Sequence, residues 1–340
     1  MKATVIPEVN AEWVIQDVPT PAPGPGEVLI RVRASGLCGN DIAASKGYIP
    51  FPAISPAIPG HEPVGEIVET GAGVTSRAVG DRVGVTWIRG TCGRCDYCRL
   101  GRPVSGTAAL LCAAPVSTGF TVQGGQAEYM VVAADQTVRI PDALSDVLAA
   151  PVLCAGYTSW SAIRAAEVKP HERIAVAGIG ALGHLAVQYA KACGFETVAI
   201  TTSPDKHDLA RDLGADLVVA DGRELREAGG ADVIIATNPS HVAAAESLAG
   251  LRVGGRLVLA GIDGQNAFAI PSAATHPFFA LDQKVLGATH NGPEFLREAL
   301  DIAATGKVTP LVETFAKEDI AEAVEKVGKG EVRFRAVIQY

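Results

Sequence analysis

The chain has 340 residues, more than one hydrophobic core usually serves, so two domains are expected. Hydrophobic residues make up 48% and charged residues 19%, an ordinary globular balance, and the net charge of -8 speaks against nucleic acid and anionic membranes as main partners. The N-terminal segment lacks the apolar stretch of a signal peptide, and no apolar run is long enough to span a bilayer, so the expected location is the cytoplasm.

From residue 1 to about 150 the chain reads as β-rich. Short apolar runs at 27–33 and 64–69 lie between glycine and proline breaks. Between Tyr48 and Pro63 stand Pro50, Pro52, Pro56 and Pro59, which make that segment a loop. Cys92, Cys95 and Cys98 follow at two-residue intervals, with Cys112 beyond them. In a cytosolic chain such spacing points to metal rather than disulfides, and four soft ligands suit structural zinc, with Cys112 the expected fourth. A dispersed group comprises Cys38, the pair His61 and Glu62, and Cys154. Two cysteines and one histidine leave a fourth zinc position open, the arrangement of catalytic sites, although spacing alone carries little weight here. Cys193 reads as plain core on an apolar helix.

Past residue 150 strands and helices alternate, which implies a doubly wound parallel sheet. A buried strand begins at Arg173, and a helix is expected over Ala181–Cys193, ended by Gly194. A second strand is expected at Thr197–Thr201. Ser203 and Pro204 then signal a helix running through Leu213. Apolar strands starting at Leu217, Asp232 and Arg256 continue the series. A further strand is expected at Lys284, a helix over Glu294–Ala304, and a closing strand from Val332.

Between the first of these strands and its helix lies G-x-G-x-x-G: Gly178, Ile179, Gly180, Ala181, Leu182 and Gly183. Alone the pattern is weak, but strand before and helix after is the context a dinucleotide site requires. NAD sites usually end the second strand with an acid that binds the ribose 2′-hydroxyl. Here Thr201, Thr202 and Ser203 stand instead, with Lys206 nearby, a set that suits a 2′-phosphate. NADP(H) is therefore expected over NAD(H).

The chain resembles the zinc-dependent alcohol dehydrogenases of the medium-chain dehydrogenase/reductase superfamily. The resemblance covers essentially all of it and runs through Gly36-Leu-Cys-Gly-Asn-Asp41, Pro59-Gly-His-Glu62, Gly80-Asp-Arg-Val-Gly84, the Cys92 cluster, Gly124-Gly-Gln-Ala-Glu-Tyr129, Pro151-Val-Leu-Cys154 and the glycine fingerprint. It implies a GroES-like β-rich catalytic domain from residues 1–150 and 288–340, with a Rossmann domain from 151–287. It also implies a catalytic zinc on Cys38, His61 and Cys154, with Glu62 beside the metal as an exchangeable ligand or outer carboxylate and Asp41 orienting the histidine. Zinc would act on the substrate oxygen as a Lewis acid while hydride passes to or from the nicotinamide. Two zinc ions per chain are expected from the two ligand groups, and the resemblance implies a homodimer or homotetramer.

Two departures stand out. Thirteen residues separate Cys98 from Cys112, longer than is usual in the family, so the loop Arg99–Leu111 is enlarged, with Gly106 at the usual cysteine position. Asn40 stands where Ser or Thr is usual and Ala43 where many members have His, the positions of the proton relay. The leading expectation is reduction of a small aldehyde or ketone, or oxidation of the alcohol. The alternatives are reduction of a conjugated C=C or an iminium, and a non-catalytic NADPH-binding protein. Trp87 reads equally as pocket lining or core, and His290 somewhat more as core.

Overall fold

The computed structural model describes residues 1–270, 278–288, 290 and 292–340. Contacts divide the chain into two units: Met1–Cys154 with His290–Ala304 and Pro310–Tyr340, and Ala155–Thr289 with Thr305–Thr309.

The second unit is built on a six-stranded parallel sheet. Across it run Leu217–Val219, Glu196–Ile200, Arg173–Ala177, Ala231–Ala236, Leu251–Leu259 and Lys284–Gly287. Numbered along the chain the order is 3-2-1-4-5-6, the doubly wound arrangement of dinucleotide-binding folds. Strands covered on both faces need apolar residues throughout rather than alternately. Ile174, Ala175, Val176, Val198, Ala199, Val233, Ile234, Ile235, Leu257 and Val258 are all fully buried.

Two elements differ from expectation at their starts. Ala181 and Leu182 form a turn, and the helix spans Gly183–Ala192. The chain is still reversing after Gly178, whose φ of +92° only glycine adopts easily. After the second strand, Pro204–Lys206 forms a 3₁₀ turn and the α-helix spans only His207–Asp212. Ser203 makes no side-chain cap; its N–H donates to Thr201 Oγ1 at 3.3 Å instead.

The first unit holds a seven-stranded sheet. Val312–Ala316, Arg335–Gln339, Glu27–Leu37, Glu62–Thr70, Arg82–Gly84 and Val138–Arg139 neighbour one another in that order, and Tyr129–Ala133 pairs with the early half of Glu27–Leu37. The closing strand thus starts at Arg335, later than expected. Val28, Ile30 and Val32 alternate inward with the two-residue period of a strand and pack on Ile67, Val83, Met130 and Val132. A second cluster, including Ile6, Trp13, Leu37, Ile42, Phe315 and Ile338, packs under the helices Gly39–Ser45 and Ile320–Lys329. Among the described residues no helix is long and apolar enough to cross a membrane.

Candidate active site and metal centres

Strand register assembles the dispersed group. Gly36 pairs with Glu62 across one side of Glu27–Leu37, and Leu37 pairs with Ala336 across the other. Cys38, His61, Glu62 and Arg335 therefore meet at three neighbouring strand ends. Cys154 arrives on a single π turn, Val152–Gly156, a local widening of the helix that recurs at functional sites. The ligand atoms of Cys38, His61, Glu62 and Cys154 all lie within 4.8 Å of one another. Cys38 is 9% exposed, Cys154 6%, and the other two not at all. Gly36 is required here: a Cβ on it would stand 1.9 Å from Glu62 Oε2.

Asp41 serves two groups at once. It occupies the third position of the helix Gly39–Ser45, where its Oδ2 accepts the Cys38 N–H at 3.0 Å. Its Oδ1 lies 2.9 Å from His61 Nδ1. In the neutral, ligating form of the imidazole that contact keeps the proton on Nδ1 and leaves the lone pair on Nε2. Nε2 is 3.9 Å from Glu62 Oε1. Nε2 and Glu62 Oε2 are both buried and have no hydrogen-bond partner among the described residues. Buried polar atoms are seldom left so, and two thiols, an imidazole and a carboxylate are a zinc donor set. The residues fit the ion.

The electrostatics agree. The Cys154 thiol beside it, helped by His61, holds Cys38 well below the ordinary thiol range. The same contact, with burial, pushes Cys154 well up. Burial alone would push His61 down, but Asp41 and Cys38 outweigh it and leave the imidazole well above its usual value. Burial raises Glu62 to about 7, and the Arg335 guanidinium bound to it opposes a further rise.

The four-cysteine group lies in the same unit. The enlarged loop turns through a short 3₁₀ segment, Thr107–Leu111, and delivers Cys112. Its Sγ lies 3.7 Å from that of Cys95 and 3.8 Å from that of Cys98; Cys95–Cys98 is 3.5 Å and Cys92–Cys98 4.0 Å. A tetrahedron with Zn–S bonds of about 2.3 Å has edges of ~3.8 Å. These residues also fit zinc. The N–H groups of Cys92 and Ala114 point at Cys112 Sγ, at 3.3 and 3.4 Å. The backbone N–H groups of Ala113 and Cys98 bring Cys95 down to about 6. Cys112 is lowered by the Cys92 N–H, yet burial and the neighbouring thiols leave it raised.

In the parallel-sheet unit, Gly178–Gly183 joins the first strand to its helix. A Cβ on Gly183 would stand 1.8 Å from the Gly178 carbonyl oxygen, whereas one on Gly180 would meet nothing within 4 Å. Gly183 is thus a packing glycine, and Gly180 borders open space. Ala181 and Leu182 lie in the turn between them. Thr201 is buried just beyond the second strand, Thr202 is exposed, Ser203 is half-buried, and Lys206 lies on the 3₁₀ turn.

Asn40 is half-buried on the helix that starts beside Cys38, and Ala43 follows it. Trp87 lies beside the buried group, its ring 5.7 Å from His61 and 5.4 Å from Phe120. His290 is also there, buried, with Nε2 3.2 Å from the Cys154 carbonyl oxygen and its imidazole pushed down by burial to about 4. Sequence reasoning missed Phe120 and Arg335. The signal for Arg335 is a charge adjoining the apolar run 336–338, a position rarely buried unless paired.

Residues 24–142 match the alcohol dehydrogenase GroES-like domain, and residues 181–305 match the zinc-binding dehydrogenase family. An alcohol dehydrogenase of Geobacillus stearothermophilus is 39% identical over 348 residues, covering 100% of this chain and 99% of the relative. The structure of CAD from Helicobacter pylori complexed with NADP(H) has a TM-score of 0.84 at 28% identity, covering 99% of this chain and 97% of that one. Acetophenone reductase from Geotrichum candidum, in complex with NAD, has a TM-score of 0.81 at 26% identity, covering 100% and 97%.

Proposed function

The chain belongs to the zinc-dependent alcohol dehydrogenases of the medium-chain dehydrogenase/reductase superfamily, and from that premise we propose an NADP(H)-dependent enzyme that reduces small aldehydes or ketones and oxidises the corresponding alcohols. The family makes it an alcohol dehydrogenase-type oxidoreductase; substrate direction, coenzyme preference and a second zinc are our reading. One observation carries the catalytic centre of the proposal: the buried, unpartnered Nε2 of His61 among Cys38, Cys154 and Glu62. A complete donor set of this kind favours catalysis over mere coenzyme binding.

When bound, zinc supplies Lewis acidity toward the substrate oxygen and the nicotinamide supplies or takes the hydride. Cys38, His61 and Cys154 would hold the ion, and Asp41 keeps His61 in the ligating tautomer. Glu62 is tethered by Arg335, so its second oxygen stays available without leaving an unpaired buried charge. Burial of all four groups excludes bulk water, which strengthens every charge interaction inside. Trp87 and Phe120 give the site an aromatic flank. Gly178 and Gly180 would admit the pyrophosphate to the N-terminus of Gly183–Ala192. Thr202, Ser203 and Lys206 would receive a 2′-phosphate that an acid at Thr201 would repel. The seven free cysteines suit a reducing cytoplasm, and on family grounds the enzyme is a homodimer or homotetramer.

A second reading has one observation in its favour. Asn40 and Ala43 cannot relay a proton as a hydroxyl and an imidazole do. Hydride addition to an iminium needs no such relay. Steady-state kinetics with NADPH and NADH against aldehydes, ketones, enals and imines decide between these. The proposal expects carbonyl reduction with kcat/KM at least ~10-fold higher for NADPH, the effect of one charge-assisted hydrogen bond. Thr201→Asp should move the preference toward NADH. Equal use of the coenzymes, or turnover confined to imines, would overturn it.

A further inference from the structure

Neither the enlarged loop Arg99–Leu111 nor His290 has a part in the chemistry above, yet the structure ties both to Cys154. The Thr107 N–H donates to the His290 carbonyl at 3.0 Å, and Thr107 Oγ1 accepts the His290 N–H at 3.2 Å. The loop thereby grips the backbone of His290 from both sides. His290 is 2% exposed, and its ring Nε2 donates to the carbonyl oxygen of Cys154 at 3.2 Å. One residue earlier, Thr86 Oγ1 donates to the carbonyl of Leu153 at 2.7 Å. A π turn replaces the regular i→i−4 ladder of a helix. Here two successive carbonyls of that turn are each held by a side chain from elsewhere in the same unit. The loop is anchored in turn, since the Gly106 N–H donates to the Ile88 carbonyl at 3.0 Å.

We propose that His290 is a positioning residue for Cys154 and that Thr107 is its mount, so that the enlarged loop beside the four-cysteine group sets the geometry of the buried metal site. This rests on the reading of Cys154 as a zinc ligand. A ring that only filled space would serve as well without its N–H. A positioning ring needs a donor aimed at one carbonyl.

The test uses full-length protein carrying zinc on the four cysteines and cobalt(II) on the buried group, confirmed by metal analysis. Its readouts are the thiolate-to-cobalt absorption band and the cobalt affinity. His290→Phe should shift the band and weaken cobalt binding about 10-fold, the lower end of what outer partners of metal ligands contribute. His290→Gln, which can place a donor nitrogen near the original Nε2, should restore both. Thr107→Val should shift the band in the same direction by less, and Thr107→Ser should restore it. Wild-type band and affinity in both His290→Phe and Thr107→Val would overturn the proposal. If His290→Phe does not fold, the Thr107 pair decides alone. If the wild-type buried site shows no thiolate-to-cobalt band, the assignment of Cys154 fails and this inference fails with it.

Discussion

The two candidate metal groups meet their charges in opposite ways. The four-cysteine group draws on one short stretch, its first and last members only twenty positions apart. It is half-exposed apart from Cys112, and its negative charge is met by backbone N–H groups of its own loop. The other group is buried throughout, and its charges are met by side chains, with Asp41 against His61 and Arg335 against Glu62. Backbone amides leave no side chain to rearrange, which suits an ion that only holds a fold together. Paired side chains in a dry site keep atoms available, as Nε2 of His61 and Oε2 of Glu62 are.

The largest effects separate the two groups by what each loses. Cys154→Ala should cut turnover by about 10³-fold or more, since several kcal/mol of charge stabilisation at the substrate oxygen depend on that metal. Its melting temperature should change by only a few degrees. Cys112→Ala should lower the melting temperature by on the order of 10 °C, because structural zinc contributes folding free energy directly. Turnover at 25 °C should then stay within a few-fold, with any shift of the cobalt band no larger than that of Thr107→Val. Calorimetry, kinetics and zinc content read these outcomes together. Wild type should carry two zinc ions per chain, and one or fewer in folded protein would break the comparison.

Acid should loosen metal from both groups. His61 and Cys154 both sit above their usual values, so a metal entering the buried group displaces protons that these residues hold near neutrality. Below each raised value, every unit of pH costs about 10-fold in affinity per displaced proton, or about 100-fold for two. In the four-cysteine group Cys95 lies at about 6 but Cys112 is raised, so a metal entering there displaces a proton as well. Lowering the pH in the presence of a chromophoric chelator should therefore strip metal from both groups, the buried one losing it as His61 and Cys154 regain their protons. Metal retention in the buried group that does not fall with pH would count against the reading.

The smallest effect follows from burial itself, because a proton must reach one site and need not reach the other. Asn40→Thr, with Ala43→His, should raise alcohol oxidation at neutral pH by about 10-fold, part of the 10²–10⁴ that general acid–base devices supply. An unchanged rate in the double variant would show that the relay positions do not limit turnover.

The legibility of these features in the sequence follows their range. The cysteine triplet speaks for itself because its spacing is local, and the return of Cys112 through a longer loop leaves the group together. The parallel sheet is legible because continuous apolar runs mark its strands. Cys38, His61 and Cys154 were found through resemblance to a family, since no spacing rule joins them. The π turn beneath Cys154 and the Thr107–His290 clamp have no sequence signature, for both depend on which backbone groups happen to face each other. The late start of the Gly183 helix escaped for a related reason: propensity favours Ala181 and Leu182 in a helix, but the turn imposed at Gly178 takes precedence.

The contact between Arg335 and Glu62, 273 positions apart, also bears on the order in which the protein forms. The four-cysteine knot can close while most of the chain is still unmade, since closing a short loop costs little entropy. The buried group must wait for the final strand, Arg335–Gln339, to pair with Glu27–Leu37 before Arg335 can meet Glu62. Such long-range pairings form slowly, so a nascent chain leaving the ribosome should be able to hold a metal on its four cysteines well before it can on the buried group.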